Sequence, residues 1–199
     1  MAGQFEAIGG GGAAVALDEV EISILRSLAV QLLELIGPGE EPVEGEDPLA
    51  ALFTNGPSEP PSDPALARLF PEAYTGPDVT DQTDELQAAS AEFRRFTEND
   101  LRSRKRTDVL CVVRTLDELT VGGEGGAVLK LTADECHNWL GALNDLRITI
   151  GTRLDVSDDD ESDDLYHLPD DDPRKPMVMA YLWLGALQET LVETLMPDA

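Results

Sequence analysis

Aromatic residues are scarce, at 5% of 199 positions, so the core must be built mainly from Leu, Val, Ile and Ala, which suits helices better than a β-sandwich. No basic leader precedes an apolar segment. The apolar stretch from Val15 is broken by Asp18, Glu19 and Glu21, so neither a signal peptide nor a transit peptide is expected. Long hydrophobic runs are missing too: Met177 to Leu187 covers only about eleven residues before Gln188 and Glu189, short of the roughly 18 a membrane span needs. The expected location is therefore the cytoplasm, with no membrane partner. There the two cysteines are expected to be reduced.

Recognisable catalytic chemistry is absent as well. No phosphate loop or nucleophile elbow occurs. Cys111, Cys136, His137 and His167 lack the close paired spacing of zinc ligands. The oxygen-rich run from Asp158 has Asp163 and Pro169 where a calcium loop needs its central Gly and closing Glu. His137 follows Cys136 directly, and neighbours on a helix diverge by about 100°, so the two cannot act as base and nucleophile. No metal, no other cofactor and no enzyme activity is expected.

Charge of one sign is abundant: 40 Asp and Glu against 14 Lys and Arg give a net charge of −26. Its distribution matters more than its sum. Between Gly37 and Glu85 twelve acidic residues face one basic residue, Arg68, and between Asp155 and Asp172 ten face none. The rest of the chain carries only about −5, ordinary for a globular protein. The first stretch also holds nine of the thirteen prolines, which excludes continuous secondary structure across it. Short helical turns at Pro48–Phe53 and Pro64–Phe70 can pin it to the body. The reading is a single domain over 1–199 in which 37–80 is a Pro-rich acidic connection and 155–172 an acidic loop.

The expected fold is mostly α with a small β-sheet and about four main helices. Gln4–Ile8 and Ala13–Leu17 read as strands joined by Gly9–Gly12. Asp18 with Glu21 three residues later then opens a helix to Ile36, closed by Gly37-Pro38. The arrangement recurs 114 residues on: a strand at 127–131, Thr132 with Glu135, and a helix ending at Gly151. About nine identities between 9–37 and 123–151 raise a pseudo-twofold strand–helix–loop–helix duplication. Further helices are expected at about 81–118 and 174–196, the latter capped by Asp172 with Pro173 following and buried on most sides as the centre of the core.

Two groups of residues are candidate sites. On the 81–118 helix, Arg94, Arg95, Arg102, Lys105 and Arg106 fall within about 120° of arc, opposite an apolar stripe of Ala89, Phe93, Phe96, Leu110 and Cys111. A basic face of this kind can neutralise phosphates. It can equally be satisfied by the protein's own acidic loops, or by Glu92, Glu98 and Asp108. Cys111, among Leu110, Val112 and Val113, and Cys136, in register with Leu140, Leu143 and Ile150, both point toward the core. Inert small hydrophobes and a reversible disulfide are both open, the second only if their Cα atoms come within about 7 Å.

The phrases VALDEVEISILRSLAVQLLELIGPG, ASAEFRRFTENDLR, VLKLTADE, WLGALNDLR, IGTRL and LPDDDPRKPMVMAYLWLGALQETLVETL together resemble an actinobacterial family catalogued as a domain of unknown function, number two thousand and seventeen. The resemblance runs from about residue 3 to 197. It is the family of the actinomycete oxidative-stress regulators, described as redox-responsive transcription factors. The resemblance implies a cytoplasmic regulator that senses oxidants through cysteine and acts on promoter DNA or the transcription machinery. Cys111 and Cys136 would be its thiols and the Arg94–Arg106 face its contact. A homodimer is compatible with this reading, and the alternative is an acidic protein-interaction adaptor with no redox or DNA-binding role.

Overall fold

The computed structural model describes residues 3–38, 56–74, 83–119, 125–156 and 167–196. Along the chain these form β1 (Glu6–Ile8), β2 (Gly12–Asp18), α1 (Glu19–Ile36), α2 (Pro64–Leu69), α3 (Asp84–Asp117), β3 (Gly126–Leu131), α4 (Ala133–Arg153) and α5 (Lys175–Leu195). The molecule is mostly helical with a three-stranded antiparallel sheet in the order β1-β2-β3, as expected. The expected helical turn at Pro48–Phe53 lies outside the described residues.

Local chemistry sets most of the boundaries. Asp18 accepts the Glu21 backbone N–H at 2.8 Å while the Glu21 carboxylate accepts that of Asp18 at 2.9 Å, a reciprocal cap that starts α1. Thr132 and Glu135 repeat it at α4. Gly37 ends α1 with φ +84°, a conformation that side chains with a Cβ resist. Asp63 caps α2 by accepting from the N–H groups of Ala65 and Leu66, with Pro64 opening the helix.

The register of the two repeated strands fits the repeat. In the β2–β3 ladder Val15 pairs with Leu129, Ala13 with Leu131 and Leu17 with Ala127. Val15 and Leu129 are equivalent positions at the 114-residue spacing, and pairs on either side exchange equivalents. A local twofold axis therefore passes between them.

Two expectations fail at the ends of helices. α4 does not stop at Gly151 but runs on to Arg153, with Leu154 as its cap. Gly151 is instead where α5 comes close: a Cβ there would lie 3.2 Å from the Tyr181 ring. α5 begins at Lys175 rather than after Asp172. The Asp172 carboxylate accepts the Arg174 N–H two residues on, which makes it the start of a turn, and Pro176 supplies the preset φ in the first helical turn.

α4 forms the centre of the core, a place the sequence reading gave to α5. It packs against α1, α2, α3, α5 and two strands. Trp139, fully buried on α4, meets Phe5 edge-on at 6.0 Å, and its indole N–H donates to Thr115 Oγ1 of α3 at 3.0 Å. α5 buries Val178, Leu184, Leu187 and Leu191 but leaves Met177, Met179 and Leu182 exposed, so it is a one-sided helix. α2 and its cap insert Leu69 and Phe70 into the same core, which ties residues 56–74 down at the second of the two expected points.

Candidate functional site

α3 carries the basic arc and Cys111, α4 carries Cys136, and the orientation of α3 decides what the arc can do. The basic arc and the apolar stripe lie on opposite sides of the helix, as the 100° spacing requires. Along the Arg94–Arg106 stretch, however, the basic arc turns inward and the aromatic residues turn out. Arg94 is 5% exposed, whereas Phe93 and Phe96 are 47% and 62% exposed.

Glu98, 3% exposed, organises this buried charge. Its carboxylate accepts from Arg94 Nη1 at 2.5 Å and from Arg102 Nη2 at 2.7 Å and Nε at 3.0 Å. Arg94 Nη2 donates further to the Phe70 carbonyl at 3.1 Å, and the Arg102 guanidinium lies 4.3 Å from the centre of the Phe70 ring. Arg102 and Arg106 donate to the carbonyls of Ile36 and Gly37 at the C-terminal end of α1. There the helix leaves unpaired acceptors and a partial negative charge. Lys105 pairs with the buried Asp145 of α4 at 2.6 Å. Arg95 stacks on Phe96, its guanidinium 4.7 Å from the ring centre.

The five basic residues are thus brought together, and all but Arg95 act as a fastening between α3, α1, α2 and α4. Four of them spend donors on internal acceptors. Glu98, one of the internal acceptors considered, is the principal one. Asp145 was missed: it is forty residues away on another helix, and only the packing brings it to Lys105. Burial pushes the Asp145 carboxyl above its ordinary value, with Lys105 opposing.

The thiols point inward as expected. Cys111 is 5% exposed and Cys136 fully buried, and both are free. Their surroundings differ. The Cys111 sulfur lies 3.7 Å from Arg114 Nη2, which also reaches Glu135 of α4 at 3.2 Å. Cys136 faces the backbone of Ala13 in β2. Burial pushes both thiols above the ordinary range; the Asn138 hydrogen bond and the Arg114 charge oppose it at Cys111, and the Ala13 backbone opposes it at Cys136. A raised thiol pKa means little thiolate near neutrality, hence slow reaction with oxidants.

His137 turns its ring back to the Ala133 carbonyl on an exposed turn of α4. Among the described residues no cluster of His, Cys, Asp and Glu has the arrangement of a metal site, and no helix is long and apolar enough to cross a membrane.

The chain is 30% identical over 182 residues to proteins named oxidative stress regulator AosR in Mycobacterium tuberculosis and Mycobacterium bovis, an alignment covering 88% of this chain and 78% of theirs. A Mycobacterium leprae protein named putative oxidative stress regulator AosR is 30% identical over 183 residues, covering 88% and 79%. No solved structure matches. The model of the family described as Domain of unknown function (DUF2017) matches residues 2–195, and the chain belongs to that family.

Proposed function

We propose that this chain is a regulator of the oxidative-stress response that works by contacting the transcription machinery rather than by gripping promoter DNA with α3. The likeness to the named oxidative stress regulators, over most of both chains, carries the regulator reading. The choice of a protein contact follows from charge. Arg94, Arg102, Lys105 and Arg106 are committed to Glu98, Asp145 and backbone carbonyls, and using them on phosphates would leave those groups buried and unpaired. A chain of net charge −26 also repels DNA wherever its cations are already spent.

Gel shifts separate the two contacts. Promoter fragments from genes whose expression changes when this gene is deleted are mixed with the chain, with RNA polymerase holoenzyme, and with both. The expected result is no shift by the chain alone at physiological salt and a further retarded complex when polymerase is present. A specific shift by the chain alone overturns the reading.

Redox sensing stands as a second, narrower reading, and the buried thiols favour the adaptor form in which neither is a switch. After brief treatment with mild peroxide, both Cys111 and Cys136 are expected to remain titratable on denaturation. Loss of both thiols, restored by reductant, would establish the switch instead.

A further inference from the structure

With its basic arc turned inward, α3 presents to solvent a stripe that the described residues leave open. Phe93, Phe96 and Leu110 are 47%, 62% and 47% exposed, and Tyr74, also exposed, packs edge-on against Phe93 at 6.1 Å. The stripe has a regular spacing. Ala89, Phe93, Phe96, Asp100, Ser103, Thr107 and Leu110 alternate steps of four and three, the seam of a helix that packs lengthwise along another helix. The seam lies on the opposite side of α3 from Arg94, Glu98, Lys105 and Val112, which face the body. Between Ala89 and Arg114 it runs for about 38 Å at 1.5 Å per residue.

We propose that this stripe is a homodimer interface in which α3 of one copy packs antiparallel against α3 of a second. The pattern of the stripe identifies the partner as this same chain. In an antiparallel pair whose twofold axis passes between residues 101 and 102, Phe93 of each copy stands opposite Leu110 of the other, and Phe96 opposite Thr107. The middle is small and polar, with Asp100 opposite Ser103, so the helices can approach closely.

Charge repeats the same symmetry. Asp100 and Arg104 are both exposed; the Asp100 side chain has no partner among the described residues, and the Arg104 charge is felt only by Asp108 of its own helix. Both lean to the same side of the seam, and the twofold brings Asp100 of each copy beside Arg104 of the other. A parallel pair would set Asp100 against Asp100 across the seam. The interface is therefore self-complementary in one direction only.

Sedimentation of the full chain at micromolar concentration tests the assignment, and it reads nothing about stress or transcription. The expected species has twice the chain mass. Phe93→Glu should weaken association at least about tenfold, with the far-UV circular dichroism of the wild type retained because the side chain is half exposed and outside the core. The charge pair gives the sharper result. Asp100→Lys and Arg104→Glu should each weaken the dimer, and the double variant should restore it, because the swap re-forms both pairs across the axis. A monomeric wild type overturns the proposal. So does a dimer that survives both Phe93→Glu and Leu110→Glu, or single charge variants whose losses add in the double variant instead of cancelling.

Discussion

The two halves of α3 hold the same body by different means. From Ser90 to Arg106 the inward side chains are a charged network around Glu98. From Val109 to Leu116 they are Val109, Cys111, Val112, Thr115 and Leu116. A buried carboxylate between two guanidiniums is strong only while all its members are present, because each charge left alone keeps its desolvation cost. A hydrocarbon contact degrades in proportion to the area lost. The first half is therefore brittle and the second graded.

Breaking the charged half should give the larger loss. Glu98→Ala leaves Arg94 and Arg102 facing each other without their carboxylate, and it should cost about 3–5 kcal/mol in urea unfolding. The damage should spread to the Pro-rich stretch, since Arg94 holds the Phe70 carbonyl and Arg102 its ring. Faster proteolysis between residues 56 and 74 is the local readout. A cost below about 1 kcal/mol would mean that the network is hydrated and behaves like a surface pair. In the apolar half, Val112→Ala removes two buried carbons. The expected loss is about 2 kcal/mol, with proteolysis of the 56–74 stretch unchanged.

What could be read in advance follows the same division between local and long-range chemistry. The starts of α1 and α4 were legible because Asp18 with Glu21 and Thr132 with Glu135 meet within one turn. The symmetry of β2 and β3 was legible because glycines and caps repeat at one spacing. The angular separation of the arc and stripe on α3 was also legible, but not which of them faces the core. Hydrophobicity argues for Phe93 and Phe96 inside and the arginines outside. The structure reverses this because Glu98, Asp145 and the open carbonyls of Ile36 and Gly37 supply buried acceptors, and three of those four come from other helices. The cap of α5 slipped for a smaller reason: Asp172 serves a turn as readily as a helix, and two prolines stand close enough for either to begin it.

The smallest expected effect lies where the two halves meet. Asp108 stands between the charged network and Val109, and its carboxyl is pushed above the ordinary 3.8, chiefly by burial. Asp145 adds to that shift, while Arg104 and Lys105 oppose it. Between the ordinary value and the raised one the folded state holds the proton more tightly than the unfolded chain. This group's contribution to stability therefore falls as pH rises through that window, and above it the buried charge is a constant cost. Asp108→Asn removes the charge while keeping the shape that fits against Gly141. The variant should be slightly more stable than the wild type at pH 7, and the two should converge below pH 3.8, where both side chains are neutral. The acidic stretches are common to both proteins and cancel in the difference between their unfolding curves. If Asp108→Asn is instead less stable at pH 7, the attraction of Arg104 and Lys105 outweighs burial. The boundary between the two modes of packing would then fall after Asp108, and the charged network would extend a full turn further along α3.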